Sequence, residues 1–186
     1  VLNFVATALF LAAVALLCGL RGPLNLADIS GAAGKADPLT LVAIASLFLV
    51  AFGMKAAVFP MNAWLPASYH APAAPVSALM GGVLTKVGVY ALLRLMVMLL
   101  PVERAVLSPA ITALAIATML LGPLSAIAET NLRRSIGFLL IGGIGVAISG
   151  AVTSGAVPGA IVYVGQSILT FAALYLVAGL IEAATG

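Results

Sequence analysis

The sequence predicts an all-α fold: a polytopic transmembrane helix bundle of six membrane spans, the second broken by prolines. Three observations carry this. First, 64% of the 186 residues are hydrophobic and only 7% are charged, with a mean hydropathy of +1.29. Water-soluble domains average about 45–50% apolar and about 25% charged residues. Second, the apolar residues fall into six runs, each near the ~20 residues with which a helix crosses a bilayer. Third, strands are not credible in such runs, because an open sheet edge leaves its amides unsatisfied in lipid. Eight Lys/Arg and five Asp/Glu cannot clothe a soluble surface of this length, so lipid must cover most of it. The net charge of +3 is scattered, without a basic block or aromatic interleaving, and is no nucleic-acid signature. Cys18 is the single cysteine, which leaves no internal disulfide and no thiolate metal site.

The first run is Leu2–Leu20. It opens without an initiator Met or a charged leading region, and so reads as part of a longer protein rather than a signal peptide. Arg21-Gly22-Pro23 stops it, and a polar loop with Asp28, Lys35 and Asp37 follows. The second run starts near Leu39 and continues through Lys55 to about Leu65, with Pro60 and Pro66 interrupting its far end. The third is Val76–Leu100, closed by Pro101, and a short loop carries Glu103 and Arg104. The fourth is Pro109–Ala128, with Ser108-Pro109 as its helix start. A compact polar turn spans Glu129 to Arg134, and the fifth and sixth runs are Ser135–Val152 and Gly159–Ala183. No internal repeat is visible.

Motifs of soluble enzymes are absent: no CxxC, no HExxH, no phosphate-binding loop. Gly142, Gly143 and Gly145 miss the dinucleotide pattern, because Ile148 stands where its third glycine belongs. Close helix packing is the better reading of these small residues.

The candidates for chemistry are the ionisable residues inside apolar runs, where a charge costs at least ~2.5–3.5 kcal/mol at the bilayer centre. Lys55 is the only charge between Leu39 and Leu65. Pro60 has no amide hydrogen, so the Ala56 carbonyl loses its helical partner beside that ammonium. A broken helix with a freed carbonyl is one way to line an ion path; the bland alternative is a lysine reaching for an interface. Lys86 lies ~15 Å into its run, about half a bilayer, with Gly81, Gly82 and Gly88 around it. Desolvation works against the ammonium form, which suits a proton relay. Arg94 is close enough to its helix end to reach the surface. Glu129 and Arg133 have the spacing and order of a helical ion pair. His70, after Trp64, Pro66 and Tyr69, reads as interfacial rather than as a metal ligand. Tyr163, Gln166, Ser167 and Thr170 supply polar groups in the sixth run. Gln166 and Thr170 share a face and could line a water channel or bond another helix.

The run from Lys55 through Phe59-Pro60-Met61-Asn62-Ala63-Trp64-Leu65-Pro66 to His70, then Ala71-Pro72, Val76-Ser77-Ala78 and Leu84-Thr85-Lys86-Val87-Gly88-Val89-Tyr90, is recognisable. It resembles the antiporter-like membrane subunits of Mrp-type cation/proton antiporters and of the proton-pumping arm of respiratory complex I. It looks most like the MnhD/PhaD branch of the Mrp type. Gly22-Pro23-Leu24-Asn25-Leu26-Ala27-Asp28 is similar to the loop after that family's sixth helix, and Glu129 to Arg134 to its short basic loop between the ninth and tenth.

The resemblance implies a single membrane domain over 1–186, corresponding to helices six to eleven of a fourteen-helix subunit built on two inverted five-helix repeats. Lys55 matches the lysine of the broken seventh helix and Lys86 that of the eighth, both part of a line of charges along the membrane centre. Gln166 and Thr170 stand where the eleventh helix usually carries a histidine and a lysine, and Gly142-Gly143 where the tenth carries a polar pair. These departures weaken the second half of the charge line. The implied function is transport of protons in exchange for Na⁺, not catalysis, in a hetero-oligomeric complex of the bacterial inner membrane, without cofactor or metal. The alternatives are a proton-pumping subunit of an NADH:quinone oxidoreductase or related hydrogenase, and a structural subunit without a working path. Charge alone leaves orientation open; the resemblance implies a cytoplasmic Arg133-Arg134 loop.

Overall fold

The computed structural model describes residues 2–21, 37–153 and 155–185. Among them there is no strand, and six helical runs are long and apolar enough to cross a membrane. The chain is a multi-pass membrane bundle.

Helix α1 (Leu2–Arg21) is the first span; the following loop with Asp28 and Lys35 lies outside the described residues. Helix α2 (Pro38–Ala56) starts on Asp37, whose carboxylate accepts from the Thr40 amide at 3.2 Å and the Thr40 hydroxyl at 3.1 Å, with Pro38 at the first position. Phe10 of α1 meets Phe48 and Phe52 of α2 edge-on, at 6.2 and 5.4 Å between ring centres.

The residue pattern puts the break of the second span between Lys55 and Pro66, and α2 closes within that stretch, just before Pro60. Ala57 adopts the left-handed conformation (φ 60, ψ 44). Its amide bonds back to the Met54 carbonyl at 3.3 Å, and the Val58 amide to the Gly53 carbonyl at 2.9 Å. This double closure satisfies the terminal carbonyls and ends a helix by itself. It usually takes a glycine; an alanine there costs about 1–2 kcal/mol that packing must offset. Pro60, joined to Phe59 by a cis peptide bond, sits within the non-helical stretch and prevents the helix from resuming. A short helix, α3 (Trp64–Tyr69), follows.

The third span is one run, Ala74–Leu99. It comprises α4 (Ala74–Leu79), a π turn (Met80–Leu84), α5 (Thr85–Arg94) and a second π turn (Leu95–Leu99). Nothing in the apolar pattern announces these wide turns, which often mark functional segments.

The fourth helix corrects the expectation of a start at Ser108-Pro109. Helix α6 runs Pro101–Ile127, with Pro109 and Pro123 inside it. Pro101 occupies the first helical position, where its missing amide costs nothing, and Glu103 falls in the first turn, favourable at the positive helix end. Glu103 and Arg104 therefore belong to the helix, and Arg104 donates to the Ala151 carbonyl at 3.1 Å. Helix α7 (Leu132–Ser149) is capped by Asn131, and α8 (Val157–Thr185) is the last span.

Helices α6 and α7 pack backbone to backbone. A Cβ on Gly122 would lie 2.5 Å from the Gly142 nitrogen, and one on Gly145 2.6 Å from the Met119 nitrogen. The close-packing reading of the 142–145 glycines holds.

Candidate functional site

Lys86 is the second residue of α5, at the middle of the third span and two residues past the first π turn. It is 6% exposed. From Ala74 it lies ~18 Å along the helix, again near mid-bilayer. Its ammonium donates to the Gly81 carbonyl at 3.4 Å and sits 5.0 Å from the Phe171 ring centre of α8. No carboxylate pairs with it among the described residues. A desolvated cation–π contact contributes ~2 kcal/mol, whereas burying an ion costs several. The Lys86 charge is thus under-compensated by its described neighbours.

Lys55, half-buried, is the penultimate residue of α2, where helix carbonyls concentrate partial negative charge. The α2 end packs against the third span. A Cβ on Gly88 of α5 would stand 3.1 Å from the Ala56 nitrogen, so α2 terminates beside the middle of the third span. The break is tied down there. The Phe59 amide donates to the Thr118 hydroxyl at 3.1 Å, the Thr118 hydroxyl donates to the Leu114 carbonyl at 2.6 Å, and Trp64 Nε1 donates to the Met54 carbonyl at 3.1 Å. A cavity of about 130 Å³, lined by Leu49, Gly53, Met54, Val58, Pro60 and Ile111, opens at the break. The structure therefore brings the end of α2, which carries Lys55, beside the stretch of the third span that follows Lys86.

Gln166 and Thr170 stand apart. Both are exposed on α8. The Gln166 amide donates to the Thr170 hydroxyl at 3.2 Å, and that hydroxyl donates to the Gln166 carbonyl at 3.1 Å. The α8 residues turned inward are Ser167, Phe171 and Tyr175.

The expected Glu129–Arg133 pair does not form. Helix α7 begins only at Leu132, so Glu129 precedes it and helical spacing does not apply. Glu129 pairs instead with Arg134 at 3.1 Å, while Arg133 reaches Glu182 of α8 at 2.5 Å and the Pro72 carbonyl at 2.6 Å. His70 Nδ1 lies 3.0 Å from the Pro66 carbonyl. Thr118 and Tyr175 are both fully buried; in the sequence their only mark is a polar side chain inside an apolar run.

The family described as NADH:quinone oxidoreductase/Mrp antiporter, TM, matches over residues 1–186. The chain is similar to a Na(+)/H(+) antiporter subunit from Alkalihalophilus pseudofirmus, 37% identical with 100% of this chain and 38% of that protein covered. It is also similar to the like-named antiporter subunit from Bacillus subtilis, 36% identical with the same coverage. It thus spans 38% of the length of these relatives. NAD(P)H-quinone oxidoreductase chain 4-1 of Synechocystis is 35% identical over 72% of this chain and 27% of its own. Among solved structures, a chain of the Mrp complex from Dietzia superposes with a TM-score of 0.89 at 31% identity, covering 97% of this chain and 34% of that one. The six-span bundle, the break in its second span and these likenesses agree: the chain belongs to the NADH:quinone oxidoreductase/Mrp antiporter membrane family.

Proposed function

We propose that this chain is part of a proton-translocating subunit of a multisubunit Na⁺/proton antiporter, corresponding to helices six to eleven of fourteen. Lys86 and Lys55 relay the protons. The observation that carries this is Lys86: a deeply buried ammonium held by one long carbonyl contact and a ring face. Such a group is poised to release its proton when a neighbouring charge moves and to regain it when that charge returns. Lys55, at the helix end packed against the third span, is the neighbour whose charge would act on it. Pro60 and the Ala57 cap end that helix there. Gln166 and Thr170 do not titrate; on the exposed face of α8 they would line a path only against elements beyond this chain. The partners are the other subunits of a hetero-oligomeric complex, the bilayer of a bacterial inner membrane, H⁺ and Na⁺.

A pump subunit of a quinone oxidoreductase is the second reading, favoured by the Synechocystis relative. The two share the lysine relay and differ in what drives it. The test is proton flux in vesicles carrying the assembled complex. Lys86→Ala should abolish flux yet leave insertion intact, since losing a buried charge eases insertion. Lys86→Arg should fail as well, because a guanidinium does not deprotonate in proteins. Native flux in the arginine variant would make Lys86 a fixed charge and end the relay.

A further inference from the structure

The cavity of about 130 Å³ beside the break is built from four helices and the break itself. Leu49 and Gly53 come from α2, Val58 from the break, Leu92 from α5, Ile111 from α6 and Ile148 from α7. All six are buried, so the space is an indentation of the core and not a patch on one helix face. Val50 and Pro60 are the exposed members of the lining and mark its mouth.

The lining fixes the chemistry of what fits. No side chain in it is charged, and its only side-chain heteroatoms are the Met54 and Met61 sulfurs. The backbone donors of the break are all engaged. The Ala57 amide donates to the Met54 carbonyl, Val58 to Gly53, Phe59 to the Thr118 hydroxyl and Met61 to the Val58 carbonyl, and Pro60 has no amide hydrogen. A buried water needs two to four polar partners, and an ion is costlier still to strip of its hydration. Neither is provided for. Packing does not demand the space either. A Cβ on Gly53 would touch only Val58, at an ordinary 3.8 Å. Gly53 lies inside α2 with no left-handed backbone, and alanine is the better helix former there. Gly53 differs in this from Gly88, Gly122 and Gly145, where a Cβ would press on backbone.

We infer that this cavity is a binding site for one small, uncharged aromatic molecule of about the size of benzene. The size follows from the volume: a dry cavity of about 150 Å³ lined by Leu, Ile and Phe takes up benzene. The preference for a ring over an alkyl chain follows from the lining. Met54 and Met61 offer sulfurs to a ring edge, and Phe59 offers an aromatic face. An occupant would touch α2, the break and α6 together, and so would sit as a wedge where the second span is interrupted. The inference concerns a site apart from Lys55 and Lys86, neither of which lines the cavity, and it does not depend on the relay.

The experiment uses the full subunit in its assembled complex, in lipid nanodiscs equilibrated with iodobenzene, whose iodine is a strong scatterer. A cryo-electron-microscopy difference map should show one peak between Gly53, Val58 and Ile111. Excess benzene should displace it, and excess hexane should not. Gly53→Met should abolish the peak, because a methionine side chain fills irregular gaps of this kind. Should that variant fail to assemble, Ile111→Phe puts a ring into the same space from α6 and should abolish the peak equally. No peak in the native complex overturns the inference, as does a peak that persists in the filled variants. Displacement by hexane as readily as by benzene also overturns it, since the site would then take the end of a lipid chain and not a ring.

Discussion

Single residues divide by what their loss would leave behind. Arg133 is 11% exposed and serves two acceptors, the Glu182 carboxylate and the Pro72 carbonyl. Arg133→Ala should destabilise the full subunit by about 1.5–3 kcal/mol, the range of hydrogen bonds to a charged group, seen as a lower thermal transition in detergent. Glu129 pairs with Arg134, whose side chain is 42% exposed, so solvent screens the interaction. Glu129→Gln should cost below about 1 kcal/mol and leave transport nearly native. A ranking with Glu129 above Arg133 would contradict this partition. Both arginines stand side by side in the sequence; only their partners separate them.

At the scale of elements, the break in the second span depends on α6. The Thr118 hydroxyl takes the Phe59 amide and is itself anchored to the Leu114 carbonyl. Thr118→Val, nearly the same shape, leaves the Phe59 amide buried and unpaired and should cost about 1–3 kcal/mol. Thr118→Ser keeps the hydroxyl and should cost only about 0.8 kcal/mol for the lost methyl. Equal losses for the two would mean that the methyl, not the hydroxyl, matters. The α6–α7 seam offers a second check. Gly145→Ala places a Cβ 2.7 Å from the Ala115 carbonyl oxygen. Backbone cannot yield as a side-chain tip does, so overpacking should cost about 1–3 kcal/mol, measured by thermal unfolding.

For the whole molecule, the decisive arrangement is the end of α2 against the middle of the third span. A Cβ on Gly88 would stand 3.4 Å from the Ala56 Cβ, close to the separation found in disulfides, about 3.5–4.5 Å. With Cys18 replaced by serine, Ala56→Cys/Gly88→Cys should therefore cross-link under a membrane-permeant oxidant, as read by mass spectrometry. Absence of the bond would mean that α2 does not end against Gly88 of the third span.

The class, the number of spans and most of their limits were legible in the sequence, because apolar length is a one-dimensional quantity that the bilayer fixes. Lys55 and Lys86 stood out for the same reason: a charge within an apolar run is visible without a partner. The limits that failed were those where local signals competed. Ser108-Pro109 looks like a helix start, but Pro101 at the first helical position begins the helix earlier; within the predicted break between Lys55 and Pro66, the exact end of α2 is set by the Ala57 closure rather than by Pro60. What only the tertiary structure decided was which groups meet. Arg133 met Glu182 rather than Glu129, and Phe171 rather than Gln166 faced Lys86. The physical reason is that partners across helices are chosen by packing, by which glycines let backbones approach and how each helix is turned, and none of this is written in the spacing along one chain.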